Sequence, residues 1–188
     1  MSARETSGIP RSIVLVGLMG AGKTCIGREL AKLYELPFVD ADDEIEAAAG
    51  CAIEDIFAVY GEAEFRSGER RVIARLLDRP TQVLATGGGA FMDSDTRAAI
   101  RDKAVSVWLR ADVDLLLDRV GRRDNRPLLK QDDPRRVLER LMAERYPVYA
   151  QADLVVDTTE EKPRATATRV AAAIGAFLAG ERTAQPAT

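Results

Sequence analysis

Residues Gly17 to Thr24 read GLMGAGKT and fit G-x-x-x-x-G-K-[ST] directly after the apolar run Ser12–Val16. The chemistry of that spacing is phosphate binding. Glycines let the backbone wrap closely, so successive N–H groups from Gly20, Ala21 and Gly22 point at phosphate oxygens. The helix that follows adds its positive end. Lys23 is placed to reach β- and γ-phosphates, and the Thr24 hydroxyl to coordinate Mg²⁺. In this context the loop is built for a nucleoside triphosphate rather than being a bare strand–helix turn.

Other chemistry-bearing residues are spread further along the chain. PFVDADDEIE puts Asp40 at the C-terminal end of a short apolar run, where open parallel sheets bind ligands. If that strand neighbours the first one, Asp40 lies beside the phosphate loop and reaches Mg²⁺ through water. Asp42 stands at a helix start, where it fits an N-cap as well as a site residue. TGGGA, Thr86 to Ala90, is either a flexible turn or a place where backbone N–H groups come close to a small polar substrate. Arg66 and Arg145 fall in helical segments, where a surface arginine is ordinary. Arg122, Arg123 and Arg126 form a basic loop. It is either a solvated face or a lid whose arginine closes on a transferred phosphoryl group.

These groups need elements to hold them. The 188 residues suffice for one domain with a sizeable core, and 46% hydrophobic with 30% charged residues reads as soluble and globular. A net charge of −3, without long single-sign blocks, gives no support to a nucleic-acid or membrane-surface role. No apolar run approaches the roughly 20 residues that span a bilayer, and MSARETSGIPR lacks the apolar core of a signal peptide. Cys25 and Cys51 have neither metal-site nor CxxC spacing, which fits a reduced cytoplasmic protein. Histidine is absent, so Asp, Glu, Lys and Arg carry any catalysis.

Strands are expected at Ser12–Val16, Phe38–Asp40, Gln82–Ala85, Ala104–Leu109 and Asp153–Val156. Helical spacing falls between them, at Ile26, Leu30 and Leu33, at Val113, Leu116, Leu117 and Val120, and at Val170, Ile174 and Phe177. That alternation predicts an α/β fold, a parallel sheet with helices on both faces. Asp42 to Leu77 is helical, broken by Gly50 and Gly61, and reads as an insertion. Arg122 to Asp132 reads as a mobile loop, and Asp133-Pro134 as the start of a new helix. One domain is expected over 1–180, with the core opening at 11–41, the inserted segment at 42–78, a lid at 119–133, and 181–188 a disordered tail.

Together, GLMGAGKT, FVDADDEIE, GEAEFRSGE, TGGGA, RPLL and AERYPVY resemble the shikimate kinase family in order and spacing, over about residues 11 to 178. The resemblance implies a P-loop fold like that of nucleoside-monophosphate kinases, with a five-stranded parallel sheet, a helical substrate-binding segment and a lid. It implies Mg²⁺-dependent transfer of the ATP γ-phosphoryl group to the 3-hydroxyl of shikimate, a step toward chorismate and the aromatic amino acids. Asp42 would then bond shikimate hydroxyls, Arg66 and Arg145 would grip its carboxylate, and the Gly87, Gly88 and Gly89 backbone would complete the pocket. Arg126 would be the lid arginine, and Arg119 with the region around Pro163 would flank adenine. Cys25, where threonine is common, would contact phosphate through its backbone N–H. The substrates would be ATP and shikimate, the protein a monomer with no nucleic-acid or membrane partner.

The chemistry agrees. A guanidinium fork donates two parallel hydrogen bonds to a carboxylate, and an ionised aspartate accepts from vicinal hydroxyls. The proton acceptor stays open between Asp42 and a phosphate oxygen. Rivals are a gluconate or nucleoside-monophosphate kinase, which needs neither the F-R nor the G-G-G piece here, and a nucleotide-binding module without catalysis. A GTP-driven switch would need an N-K-x-D stretch, which the sequence lacks.

Overall fold

The computed structural model describes residues 9–121 and 133–184. Among them, strands β1 (Ser12–Val16), β2 (Phe38–Asp40), β3 (Val83–Ala85), β4 (Ala104–Arg110) and β5 (Leu154–Asp157) form one all-parallel sheet in the order β2-β3-β1-β4-β5. Successive strand residues face opposite sides of a sheet. All five residues of β1 are buried, so both faces of the sheet are covered. The helices that cover it are α1 (Lys23–Tyr34), α2 (Ala41–Ala49), α3 (Ile53–Leu77), α4 (Ser94–Lys103), α5 (Val113–Gly121), α6 (Pro134–Tyr149) and α7 (Pro163–Ala184). A 3₁₀ turn, Ala90–Met92, follows the glycine triplet. None of the described helices is long and apolar enough to cross a membrane.

The expected strands and helices are present, and the departures have local causes. Gln82 lies just before β3, because its N–H donates to Ser12 Oγ (3.2 Å) and its side-chain amide to the Leu76 carbonyl (2.5 Å). Asp153 precedes β5 and staples that edge strand, accepting from the Ser106 N–H (2.8 Å) and hydroxyl (2.7 Å). Leu33 does not join the buried face of α1. It is 37% exposed, and Gly27 and Ala31 are buried there with Ile26 and Leu30. The last helix continues to Ala184, into the segment expected to be an unstructured tail. The expected loop 122–132 lies outside the described residues.

Two helix starts bear on the site. Asp42 is not the cap of α2: Asp40 is, its Oδ1 accepting from the Asp42 N–H at 3.1 Å. This leaves the Asp42 carboxylate unused by the backbone. Asp133 caps α6 as expected, accepting from the Arg135 N–H at 3.1 Å with Pro134 behind it. The segment expected as an insertion folds as α2 and α3, joined through Gly50, which ends α2 in the left-handed region. Gly61, at φ 78° and ψ 174°, interrupts helical geometry inside α3.

Candidate active site

The parallel register aligns the strand ends. Asp40 pairs with Ala85, which pairs with Leu15, which in turn pairs with Val107. Residues following β1, β2 and β3 therefore emerge side by side, and they line one cleft of about 820 Å³. The strands β1 and β2 are not neighbours, since β3 lies between them. Asp40 still reaches the phosphate loop because α1 packs across β1, β3 and β2. The Thr24 hydroxyl donates to Asp40 Oδ2 at 3.0 Å.

At the phosphate end, the Lys23 ammonium donates to the carbonyls of Gly17 (2.7 Å) and Leu18 (3.0 Å). These bonds shape the loop around its own lysine. Gly22 caps α1 at φ 97°, and the first helical turn carries Thr24 and the exposed Cys25 to the cleft. Ala21 is buried and does not line the cleft; its N–H donates to the Leu18 carbonyl (3.1 Å) and its carbonyl accepts from Arg119. Arg119 donates to Gly20 O (3.2 Å), Ala21 O (3.3 Å) and, from its other nitrogen, Thr159 O (2.6 Å). It ties the phosphate loop to the segment before α7, and Pro163, the first residue of α7, also lines the cleft.

At the other end, Asp42, Arg66, Arg145 and the Gly87–Gly89 backbone converge. A Cβ on Gly89 would overlap the Arg66 guanidinium, so the absent side chain is what lets that arginine lie on the backbone. A Cβ on Gly88 would sit 3.2 Å from Arg145 Nη1, and one on Gly87 would sit 2.9 Å from Asp42 Oδ1. The triplet is thus a floor with a carboxylate and two guanidinium groups standing over it. Arg145 Nε is buried without a partner among the described residues. A buried charged donor left unmatched is costly, so this one points to an anionic ligand. Burial above all, helped by Asp40 and opposed by Lys23, pushes the Asp42 carboxyl up to about 6. At neutral pH it remains mostly an acceptor, poised to take a proton.

Sequence reasoning gave no role to Glu69, which is only 3% exposed. Its Oε2 accepts from Arg66 Nη1 at 2.7 Å, while Glu62 stands 3.5 Å from Arg66 Nη2. Burial raises the Glu69 carboxyl, with Arg66 pulling the other way. The signal was present in the spacing: Arg66 and Glu69 are three apart on one helix face. Phe57 was also missed, and Phe65 had entered only as the F of the F-R piece, without a role. Their rings meet at 4.4 Å and form an apolar wall beside Arg66. Of the expected site residues, Arg126 alone lies outside those described.

A family model described as shikimate kinase matches residues 19–175. The shikimate kinase of Paramagnetospirillum magneticum is 59% identical over 175 residues, covering 93% of this chain and 90% of that protein. That of Mesorhizobium japonicum is 58% identical over 160 residues, covering 85% and 79%. Among solved structures, shikimate kinase from Acinetobacter baumannii in complex with shikimate matches with a TM-score of 0.84 at 39% identity, covering 88% of this chain and 93% of that one. The family-model match runs from within the phosphate loop through Arg145 and Pro163. The chain belongs to the shikimate kinase family and is an ATP-dependent phosphotransferase.

Proposed function

We propose that this enzyme transfers the γ-phosphoryl group of ATP to the 3-hydroxyl of shikimate, giving shikimate 3-phosphate on the way to chorismate and the aromatic amino acids. The observation that carries this reading is the far end of the cleft. Two arginines, one with a buried unmatched nitrogen, stand with Asp42 over a glycine floor. A small carboxylate bearing several hydroxyls suits that set: the guanidinium groups match its carboxylate and Asp42 its hydroxyls. Phe57 and Phe65 offer an apolar face to its ring.

The same reading assigns the roles. Lys23 and the loop N–H groups hold the β- and γ-phosphates, Gly20, Gly22 and Cys25 contributing backbone, and Arg119 and Pro163 flank the base. Asp42 orients the acceptor hydroxyl and can receive its proton, while Arg66 and Arg145 fix the other end of the substrate. Positioning and charge neutralisation then supply most of the acceleration. Arg126 as the lid arginine rests on the sequence resemblance alone. Mg²⁺ fits the residues present. Among the described residues no three acidic, His or Cys side chains form a closed metal site. The paired Thr24 hydroxyl and Asp40 carboxylate suit a cation that keeps waters and takes other oxygens from phosphates. That ion would neutralise charge on the transferring group. We place the enzyme in the cytoplasm as a monomer of one kinase domain, in keeping with its free cysteines.

The test is the product. ATP, Mg²⁺ and shikimate should yield a monophosphate whose phosphorus couples by NMR to the ring proton at carbon 3. Coupling to a different ring proton, or no product, would overturn the assignment.

A further inference from the structure

Tyr149 has no part in the roles above, yet it is fully buried, at 0% exposure, at the edge of the substrate end. It lies one helical turn after Arg145 on α6, so both side chains project from the same face. Its hydroxyl donates to the carbonyl of Gly88, the central residue of the glycine floor. A Cβ on Gly88 would lie 3.2 Å from Arg145 Nη1 and 3.7 Å from Tyr149 Oη, so hydroxyl, guanidinium and glycine backbone meet at one point. The Tyr149 ring is held by Trp108 at 5.9 Å, Tyr146 at 6.2 Å and Phe91 at 6.5 Å. That cage leaves the hydroxyl little freedom to look elsewhere.

We propose that Tyr149 is a positioning residue for the carboxylate end of the substrate: by pinning the Gly88 carbonyl it fixes the height of the glycine floor against Arg145. A three-glycine stretch has few side-chain contacts to fix its conformation. Without a tether, its N–H groups and the guanidinium above it would hold a ligand only after being ordered, which weakens binding. The hydroxyl is well suited to the task, since burial raises it and keeps it protonated, a donor at any working pH.

The inference rests on the shikimate reading, so the experiment includes wild type with shikimate and separates the two. Tyr149→Phe removes the hydroxyl and keeps the ring. Tyr146→Phe is the control, because its hydroxyl donates to the Ala111 carbonyl, away from the glycine floor, in the same aromatic cluster. For each variant the melting temperature, the KM for shikimate and the KM for ATP are measured. Tyr149→Phe should raise the shikimate KM roughly three- to tenfold, the size of one net hydrogen bond, with the ATP KM within twofold of wild type. Tyr146→Phe should lower the melting temperature and leave both constants alone. An unchanged shikimate KM in Tyr149→Phe, an equal rise for both substrates, the same shikimate effect in Tyr146→Phe, or loss of folding in Tyr149→Phe would each overturn the proposal. Wild type that ignores shikimate would instead overturn the substrate assignment beneath it.

Discussion

At the scale of residues, the two ends of the cleft use charge differently, and substitutions should separate them. Arg66 and Arg145 stand over the glycine floor. Arg145→Ala removes a charge-assisted donor pair, worth about 1.5–3 kcal/mol, or roughly 10- to 150-fold in shikimate affinity. ATP affinity measured without shikimate should barely change. Equal weakening of both ligands by calorimetry would refute the carboxylate role. Glu69 makes a different prediction, about stability. Burial raises its carboxyl above the ordinary 4.5, so the folded state holds that proton more tightly than the unfolded chain. Stability therefore falls as pH climbs from the ordinary value through the raised one. Glu69→Gln removes this titration, and the melting temperature of the variant relative to wild type should increase from pH 5 to pH 8. A relative decrease would mean that the Arg66 ion pair outweighs the burial. The motif residues were legible in the sequence because their types and spacing encode phosphate chemistry. Glu69 and Tyr149 stood in the quoted stretches without a role: the Arg66–Glu69 spacing was visible, but the burial of Glu69 and the place of Tyr149 beside Gly88 were not, because only the fold sets them.

At the scale of elements, α3 shows what local sequence can and cannot announce. The break at Gly61 was legible, since glycine inside a helical pattern marks an interruption. Its geometry was not. At φ 78° and ψ 174° the residue sits in a region open essentially to glycine alone, and nothing lies within 4 Å of a would-be Cβ. Gly61→Ala should thus cost about 1–3 kcal/mol through backbone strain and not through a clash. Because the turns before the break carry Phe57 to the cleft, the shikimate KM should rise with it while the ATP KM holds. Gly68→Ala, at a helical position with equally open space, should instead stabilise by about 0.5–1 kcal/mol. Thermal melts of the pair check both signs, and destabilisation of the same size in the two variants would show that the special backbone at Gly61 is not what matters. The cap of α2 teaches the same lesson. Asp40 and Asp42 both suit a helix start, and only the structure shows that Asp40 takes the cap and leaves the Asp42 carboxylate unused by the backbone.

At the scale of the whole molecule, strand and helix alternation announced a parallel sheet, and the apolar runs located its strands to within a residue or so. Strand order was hidden, because hydrophobic pattern records which segments are buried and not which lie side by side. β3 separates β1 from β2, and the Thr24–Asp40 contact depends on α1 bridging them. The result is one cleft, with the phosphate loop at one end and Arg66, Arg145 and the glycine triplet at the other, its loops following three adjacent strands. The central claim is that these ends serve one transfer from ATP to shikimate. The direct measurement is ADP release with ATP and Mg²⁺ against shikimate, gluconate, AMP and CMP in parallel, with Lys23→Ala beside wild type. Wild type should turn over with shikimate at least 100-fold faster than with the other acceptors, and Lys23→Ala should lose on the order of 10²–10³-fold while keeping its fold. Turnover with gluconate or a nucleotide that matches shikimate, or near-normal activity in Lys23→Ala, would contradict the account.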